Sequence, residues 1–339
     1  MVLVRVITDF PSAGFLDQTP EGAGVWQGVR FTLDPVERCD FAVVCNRVLE
    51  ETPLVVPPDN LWQVTMEPPI EYFRYLRRSF RQFRYVFTQD PSLRGDRYVH
   101  CHGALPWHVG LNYDELIRRK RPEKIADLSW ITSNKAQFLG HKTRMTLLAA
   151  LRGRMDFELW GEGFRPLDKK WDGLSSFRYS LAIENYHGAD YWTEKIADCY
   201  LSWTMPIYWG ATNITSYFPA ESMALVDAGD PDTAIEQIEE TVRSDRFERN
   251  IDAIAHARDL VLNKYQFFPF IADRIRRHEP VSADNSPRPL VIRPAHRPAL
   301  VSLCSSLCSA VRSKIALRTR LARLRSRVFA EPDGRGETG

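Results

Sequence analysis

The stretch from Tyr179 to Gly210 holds the residues best suited to chemistry. An apolar run, Tyr179 to Ile183, delivers Glu184 and Asn185, a short turn follows, and a helical pattern opens around Tyr191, Thr193, Glu194 and Lys195. The first turn of a helix offers unpaired backbone N–H groups and a partial positive charge, which suit phosphate oxygens. Lys195 adds a full cation beside that dipole, and Glu184 or Glu194 can accept hydrogen bonds from ribose or sugar hydroxyls. Taken singly, Glu194 and Lys195 fit an ordinary helix surface equally well. Neither a nicotinamide fingerprint, which needs its glycines between a strand and a helix, nor a P-loop can be assigned.

Such residues need a parallel sheet to hold them. Strand-like runs alternate with helical ones in both halves of the chain, which predicts an α/β architecture. The first half offers strands at Leu3 to Thr8, Phe41 to Cys45, Leu61 to Thr65 and Arg84 to Phe87. Ile70, Phe73, Leu76 and Phe80 between the last two fall at helical spacing. The charged run Asp114 to Asp127 reads as a surface linker. A second series follows: strand Leu128 to Thr132, helix His141 to Leu151, strand Phe157 to Trp160 and the turn Gly161-Glu162-Gly163. Then come strand Tyr179 to Ile183, helix Tyr191 to Trp203, strands Pro206 to Trp209 and Met223 to Val226, and helices over 231–243 and 247–262. The division expected is 1–120, 121–280 and 281–339, with a cleft between the first two units, because ligands of open α/β sheets bind beyond the carboxyl ends of the strands.

Read as one pattern, Leu181-Ala-Ile-Glu-Asn-Tyr, Asp190-Tyr-Trp-Thr-Glu-Lys-Ile and Pro206-Ile-Tyr-Trp-Gly resemble the donor-domain signature of the α1,3/4-fucosyltransferases of glycosyltransferase family 10, bacterial type. Phe218-Pro219-Ala220-Glu221-Ser222-Met223 and, more weakly, Ser133-Asn134 with Lys142-Thr143-Arg144 extend the likeness. The resemblance implies a GT-B fold, two Rossmann-like domains facing a cleft, with an acceptor-binding domain at 1–120 and a GDP-fucose-binding domain at 121–280. It implies donor-binding roles for Asn134, Arg144, Glu184, Asn185, Tyr191, Glu194 and Lys195. Arg144 suits the donor pyrophosphate, since a planar, permanently charged fork can bridge two phosphate oxygens.

In the first half, Val64-Thr65-Met66-Glu67-Pro68-Pro69 is similar to the segment that ends an acceptor-domain strand in this family. Inversion at the fucose anomeric carbon needs a base for the attacking hydroxyl, and Glu67 is the candidate, set by the stiff Pro68-Pro69 turn. Asp90 and Glu71 are fallback carboxylates. The sequence departs from the family at Pro68 and Tyr186, where serines are usual. Asp230-Pro231-Asp232 is formally D-x-D, yet its place before a helix reads as capping. With Arg144, Lys195 and a helix N-terminus available, the leaving group needs no divalent ion, so metal-independent chemistry without a cofactor is expected. His100 and His102 could line the cleft or sit at the surface, and Trp62, Trp107 and Trp203 could stack on sugars or fill cores.

The 339 residues, 44% of them hydrophobic, carry a formal charge of +2. Residues 285–339 hold eleven basic and three acidic groups, which leaves the body before them six charges negative. Leu300, Cys304, Leu307, Val311 and Ile315, then Leu317, Leu321, Leu324 and Val328, recur at helical spacing, with seven basic residues filling most of the other face. This is the pattern of a basic amphipathic helix lying on an anionic membrane surface. Nucleic acid is not expected as a partner, because the tail lacks stacking aromatics apart from Phe329. Six scattered cysteines suggest reduced, mostly buried thiols, and the absence of a signal-like or spanning stretch suggests a cytoplasmic protein peripheral on the inner membrane face. The activity expected is inverting transfer of L-fucose from GDP-fucose to a galactosyl or N-acetylglucosaminyl glycan acceptor, as in lipopolysaccharide synthesis. The alternatives are a related transferase using another nucleotide-sugar and a non-catalytic membrane-associated binding protein.

Overall fold

Apolar, largely β-branched runs form eight strands in the first hundred residues of the computed structural model. They are β1 (Val2–Thr8), β2 (Val25–Trp26), β3 (Val29–Thr32), β4 (Phe41–Cys45), β5 (Thr52–Val56), β6 (Leu61–Val64), β7 (Tyr85–Thr88) and β8 (Tyr98–His100). The structure describes residues 1–10 and 13–295. Pro11, Ser12 and the basic amphipathic helix expected beyond residue 295 lie outside the described residues.

Seven of these strands pair in the order β2-β3-β1-β4-β6-β7-β8, all parallel except β2, which runs antiparallel to β3. A parallel sheet is covered on both faces, so its strands read as continuous apolar runs, and β4 and β6 are buried along their whole length. After α1 (Tyr113–Arg118), a second sheet forms from β9 (Ala126–Ile131), β10 (Glu158–Trp160), β11 (Phe177–Ile183), β12 (Met205–Trp209) and β13 (Ala224–Leu225). It is parallel throughout, in the order β10-β9-β11-β12-β13. Around it stand α2 (Leu139–Leu151), α3 (Glu194–Leu201), α4 (Pro231–Arg243), α5 (Arg246–Arg249) and α6 (Ile251–Leu260), with a π-helical turn at Val261–Tyr265. The last helix, α7 (Phe267–Arg276), and strand β14 (Arg288–Ile292) follow.

Each sheet has its own core, and the chain passes between the cores twice. Ala104 packs in the first and Trp107 in the second, while Tyr265 packs in the second and Phe267 in the first. Gln18 binds both passages: its Nε2 donates to Trp107 O at 2.9 Å, its Oε1 accepts from Trp107 N at 3.2 Å, and its carbonyl accepts from Gln266 Nε2 at 3.2 Å.

Several expectations change on this frame. The charged run read as a linker begins within α1, whose N-terminus is a capping box between Asn112 and Glu115 and whose Leu116 is buried in the second core. Ile70, Phe73 and Leu76 recur every third residue, the 3₁₀ period, and the segment Glu71–Arg78 is a 3₁₀-helix. Residues 267–276, grouped with the second unit from the sequence, instead contribute Phe267, Phe268, Phe270 and Ile271 to the first core. Beyond them, Asp59 accepts from Val281 N, Ser282 N and Ser282 Oγ, and β14 pairs antiparallel with β5. Residues 267–292 therefore pack on the first half.

Candidate functional site

Both sheets present their strand ends to the site. In the second, β11 is apolar and almost fully buried, and it carries Glu184 to its carboxyl end with no exposed surface at all. Asp190 then adopts a left-handed turn (φ 63°), held by Asn213, which donates to Asp190 Oδ1 at 2.8 Å and accepts from its N–H. That turn sets the start of α3. The helix expected from Tyr191 begins at Glu194, because Thr193 is its N-cap and its Oγ1 accepts from Lys195 N.

Glu184 organises this junction. Its Oε1 accepts from Thr193 N at 2.7 Å, both oxygens accept from Thr193 Oγ1, and Oε2 accepts from Lys195 Nζ at 3.1 Å. Lys195 Nζ also donates to Thr193 Oγ1 at 2.9 Å. The sequence offered Glu184 as an acceptor for sugar hydroxyls; in the structure its oxygens accept from Thr193 and Lys195. Burial raises the Glu184 carboxyl above its usual pKa, although Lys195 and the Thr193 bonds oppose the shift. At Glu194, burial also disfavours charge, but Lys195 and Lys170 outweigh it and hold the carboxyl well below its usual range. Lys170 is fixed in turn by Asp198 at 2.8 Å.

Arg144 comes from α2, only 4% exposed, and its Nε is buried without a partner. Burial lowers its pKa, while the charges acting on it from Glu184, Glu194 and Tyr191 raise it. The carboxyl end of β11 and the start of α2 touch at Gly140, where a Cβ would lie 2.0 Å from Asn185 O. Only glycine fits there. Asn185 is half-buried with an unpartnered Oδ1. Asn134 is exposed, on a loop whose N–H donates to Glu162 O, and its side chain lies where a Cβ on Gly163 would fall.

Tyr191 feels charges from both halves. Its phenol is buried and pushed well above its ordinary pKa, first by burial and then by the charges of Glu184, Glu194 and Glu67. Glu67 follows β6 in the first sheet, and its approach is rigid: Thr65 N donates to Phe87 O, Gln89 Nε2 to Thr65 O and Met66 N to Asn46 Oδ1. The structure thus brings Glu67, Arg144, Glu184, Tyr191, Glu194 and Lys195 together, with Asn185 beside them and Asn134 at the rim. The fallback carboxylates are otherwise engaged, Asp90 by Arg77 and Ser92 and Glu71 by Arg74 on the surface.

Of the histidines the sequence offered for the cleft or the surface, His100 is exposed and His102 is buried, and His141 was not among them. His102 is 2% exposed, stacks on Trp192 at 4.7 Å and is kept neutral by burial and by Arg274. His141 lies beside Arg144. Trp62 and Trp107 fill cores. Asp230 caps α4, accepting from Asp232 N and Thr233 N. Among the described residues, no group of three or more His, Cys, Asp and Glu side chains could hold a metal, and Cys39, Cys45, Cys101 and Cys199 are free and buried. No described helix is long and apolar enough to cross a membrane. On the carboxyl edge of the first sheet, a cavity of about 340 Å³ opens among Phe10, Phe15, Asp17, Trp107, His108 and Asn112.

Comparison with known proteins gives these parts a context. Residues 121–245 match the family model described as glycosyltransferase family 10 (fucosyltransferase) C-term. The alpha-(1,3)-fucosyltransferase FucT of Helicobacter pylori is 42% identical over 66 residues, 19% of this chain and 14% of that relative's length. Among solved structures, an alpha1,3-fucosyltransferase with GDP aligns over 79% of this chain and 92% of its own, with 17% identity and a TM-score of 0.47. TarM aligns over 70% and 54%, with 8% identity and a TM-score of 0.44.

Proposed function

From the match of residues 121–245 to the glycosyltransferase family 10 model, we infer that the chain is a GT-B transferase that moves L-fucose from GDP-fucose to a hydroxyl of a galactosyl or N-acetylglucosaminyl glycan, with inversion. The observation that carries this reading is the buried junction of Glu184, Thr193 and Lys195 beside Arg144, whose Nε lacks a protein partner. Two cations and the N-terminus of α3 at one strand end form a site for a diphosphate.

The acceptor oxygen forms a bond to the fucose anomeric carbon as the bond from that carbon to the β-phosphate oxygen breaks. Glu67 takes the hydroxyl proton, and the charge that develops on GDP is met by Arg144 and Lys195. That positive charge serves in place of a divalent ion, so the reaction runs without metal. The cavity beside Phe10 and Trp107 is large enough for one acceptor sugar ring. The basic segment beyond residue 295 carries the enzyme to the anionic inner leaflet, where lipid-linked glycan precursors of the lipopolysaccharide type would meet it.

Full-length protein incubated with acceptor glycans and either GDP-fucose or GDP-mannose tests the donor. Transfer from GDP-fucose is expected. Transfer from GDP-mannose alone would assign the fold to another nucleotide-sugar, and binding of both without transfer would make the chain a binding protein.

A further inference from the structure

His141 stands on the first turn of α2, three residues before Arg144, so the two side chains share one face of the helix. It is 7% exposed, and its Nδ1, like Arg144 Nε, is buried with no partner. Native proteins rarely leave two such groups side by side, since each gives up its water without a replacement. The contact of Gly140 with Asn185 O sets this turn against the carboxyl end of β11. The charged groups acting on the imidazole are Arg144 on its own helix, Lys135 in the loop before it and Lys195 on α3. Burial first, and then these three cations, push its pKa down to about 4, so the ring is neutral at physiological pH. A neutral imidazole among three cations is suited to an anion. On the other side the ring packs on Phe138 at 5.1 Å, and Phe138 meets Tyr72 at 5.0 Å and Phe73 at 6.1 Å. Tyr72 and Phe73 belong to the 3₁₀-helix of the first half.

We propose that His141 is a third phosphate ligand of the donor site, its Nδ1–H donating to the diphosphate held by Arg144 and Lys195, with Phe138 keeping the ring in that direction by packing on Tyr72 and Phe73. The proposal rests on the nucleotide-donor reading above and adds a residue to it. When the dianionic ligand arrives, it offsets the surrounding cations and favours the charged ring. Nε2 then takes a proton from solvent, so binding is accompanied by proton uptake on the acid side of neutrality.

Calorimetric titration of the full chain with GDP and with guanosine tests this. His141→Ala is expected to weaken GDP about tenfold, the effect of one charge-assisted hydrogen bond, and to leave guanosine unchanged. His141→Asn places an amide nitrogen where Nδ1 stood and should restore GDP affinity. Repeating the titration at pH 6 with GDP-fucose, whose diphosphate carries no group titrating there, in buffers of different ionisation enthalpy should reveal proton uptake by the wild type and none by His141→Asn. Equal GDP affinity in wild type and His141→Ala would overturn the assignment and leave the donor reading intact. Parallel loss of guanosine would also overturn it, by showing a structural role. A wild type that binds neither probe would defeat the donor reading and this proposal together.

Discussion

Glu184 makes no contact with solvent, and its site depends on it, so replacing it separates positioning from direct sugar contact. In Glu184→Gln the amide oxygen can still accept from Thr193 N, and the amide nitrogen can donate to Thr193 Oγ1. What is lost is the ionic bond to Lys195 Nζ at 3.1 Å. Such a bond contributes about 1.5–3 kcal/mol, and relief from burying a carboxylate offsets part of it, so a net loss of about 1–2 kcal/mol is expected. Glu184→Ala removes every acceptor at once. It leaves Thr193 N–H unpaired and takes from the Lys195 ammonium one of its two carboxylates, Glu194 remaining at 3.6 Å, which should cost about 3 kcal/mol. The pH dependence carries a sign as well. Burial raises the Glu184 carboxyl above its ordinary 4.5, so the folded state holds that proton more tightly than the unfolded chain. Its contribution is fully present below pH 4.5 and falls away as pH climbs through the raised value; Glu184→Gln removes that slope. Urea unfolding between pH 4 and 8, with GDP titration of each folded variant, measures both effects. The reasoning fails if Glu184→Gln matches the wild type in stability and GDP affinity and only raises KM for GDP-fucose, since that would make Glu184 a sugar contact.

Three further outcomes follow from named contacts. Glu67→Gln should lower turnover roughly 10²–10⁴-fold, the range for loss of a general base, while GDP affinity holds; unchanged turnover would move the base elsewhere. Lys124 Nζ donates to Ser175 O, Ser202 O and Thr204 Oγ1, and burial pushes its pKa down to about 7 from 10.5. The unfolded chain therefore binds more protons between these values, so stability should rise from pH 7 towards 10.5 and lose that rise in Lys124→Met, as thermal melts would show. Deleting residues 296–339 should abolish co-sedimentation with phosphatidylglycerol vesicles and spare GDP binding. Retained sedimentation would place the membrane contact in the body of the protein.

The sequence made the strands legible because parallel strands buried on both faces must be apolar throughout, as Phe41–Cys45 and Phe177–Ile183 are. It marked Lys195 by residue type and neighbourhood, and Arg144 and Glu67 through the resemblance of their segments to those of the family. The inward turn of Glu184 was hidden, because a strand-end glutamate looks the same whether it faces a ligand or a cap, and only the fold brings Thr193 onto both oxygens. His141 carried no motif; its one local signal was the i, i+3 spacing to Arg144. The Asn112–Glu115 capping box was written in the chain but masked by the basic run that follows it. The return of Phe267–Arg276 to the first core depends on contacts some 250 residues apart, such as Arg276 with Gln27, which local periodicity cannot report.

The double passage between the cores fixes how the molecule can move. A single connecting segment would act as a swivel, letting one half rotate freely against the other. Two segments, pinned together through Gln18, behave as the two pivots of a door and define one axis of opening. A chain cut before Phe267 would lose that axis as well as a helix.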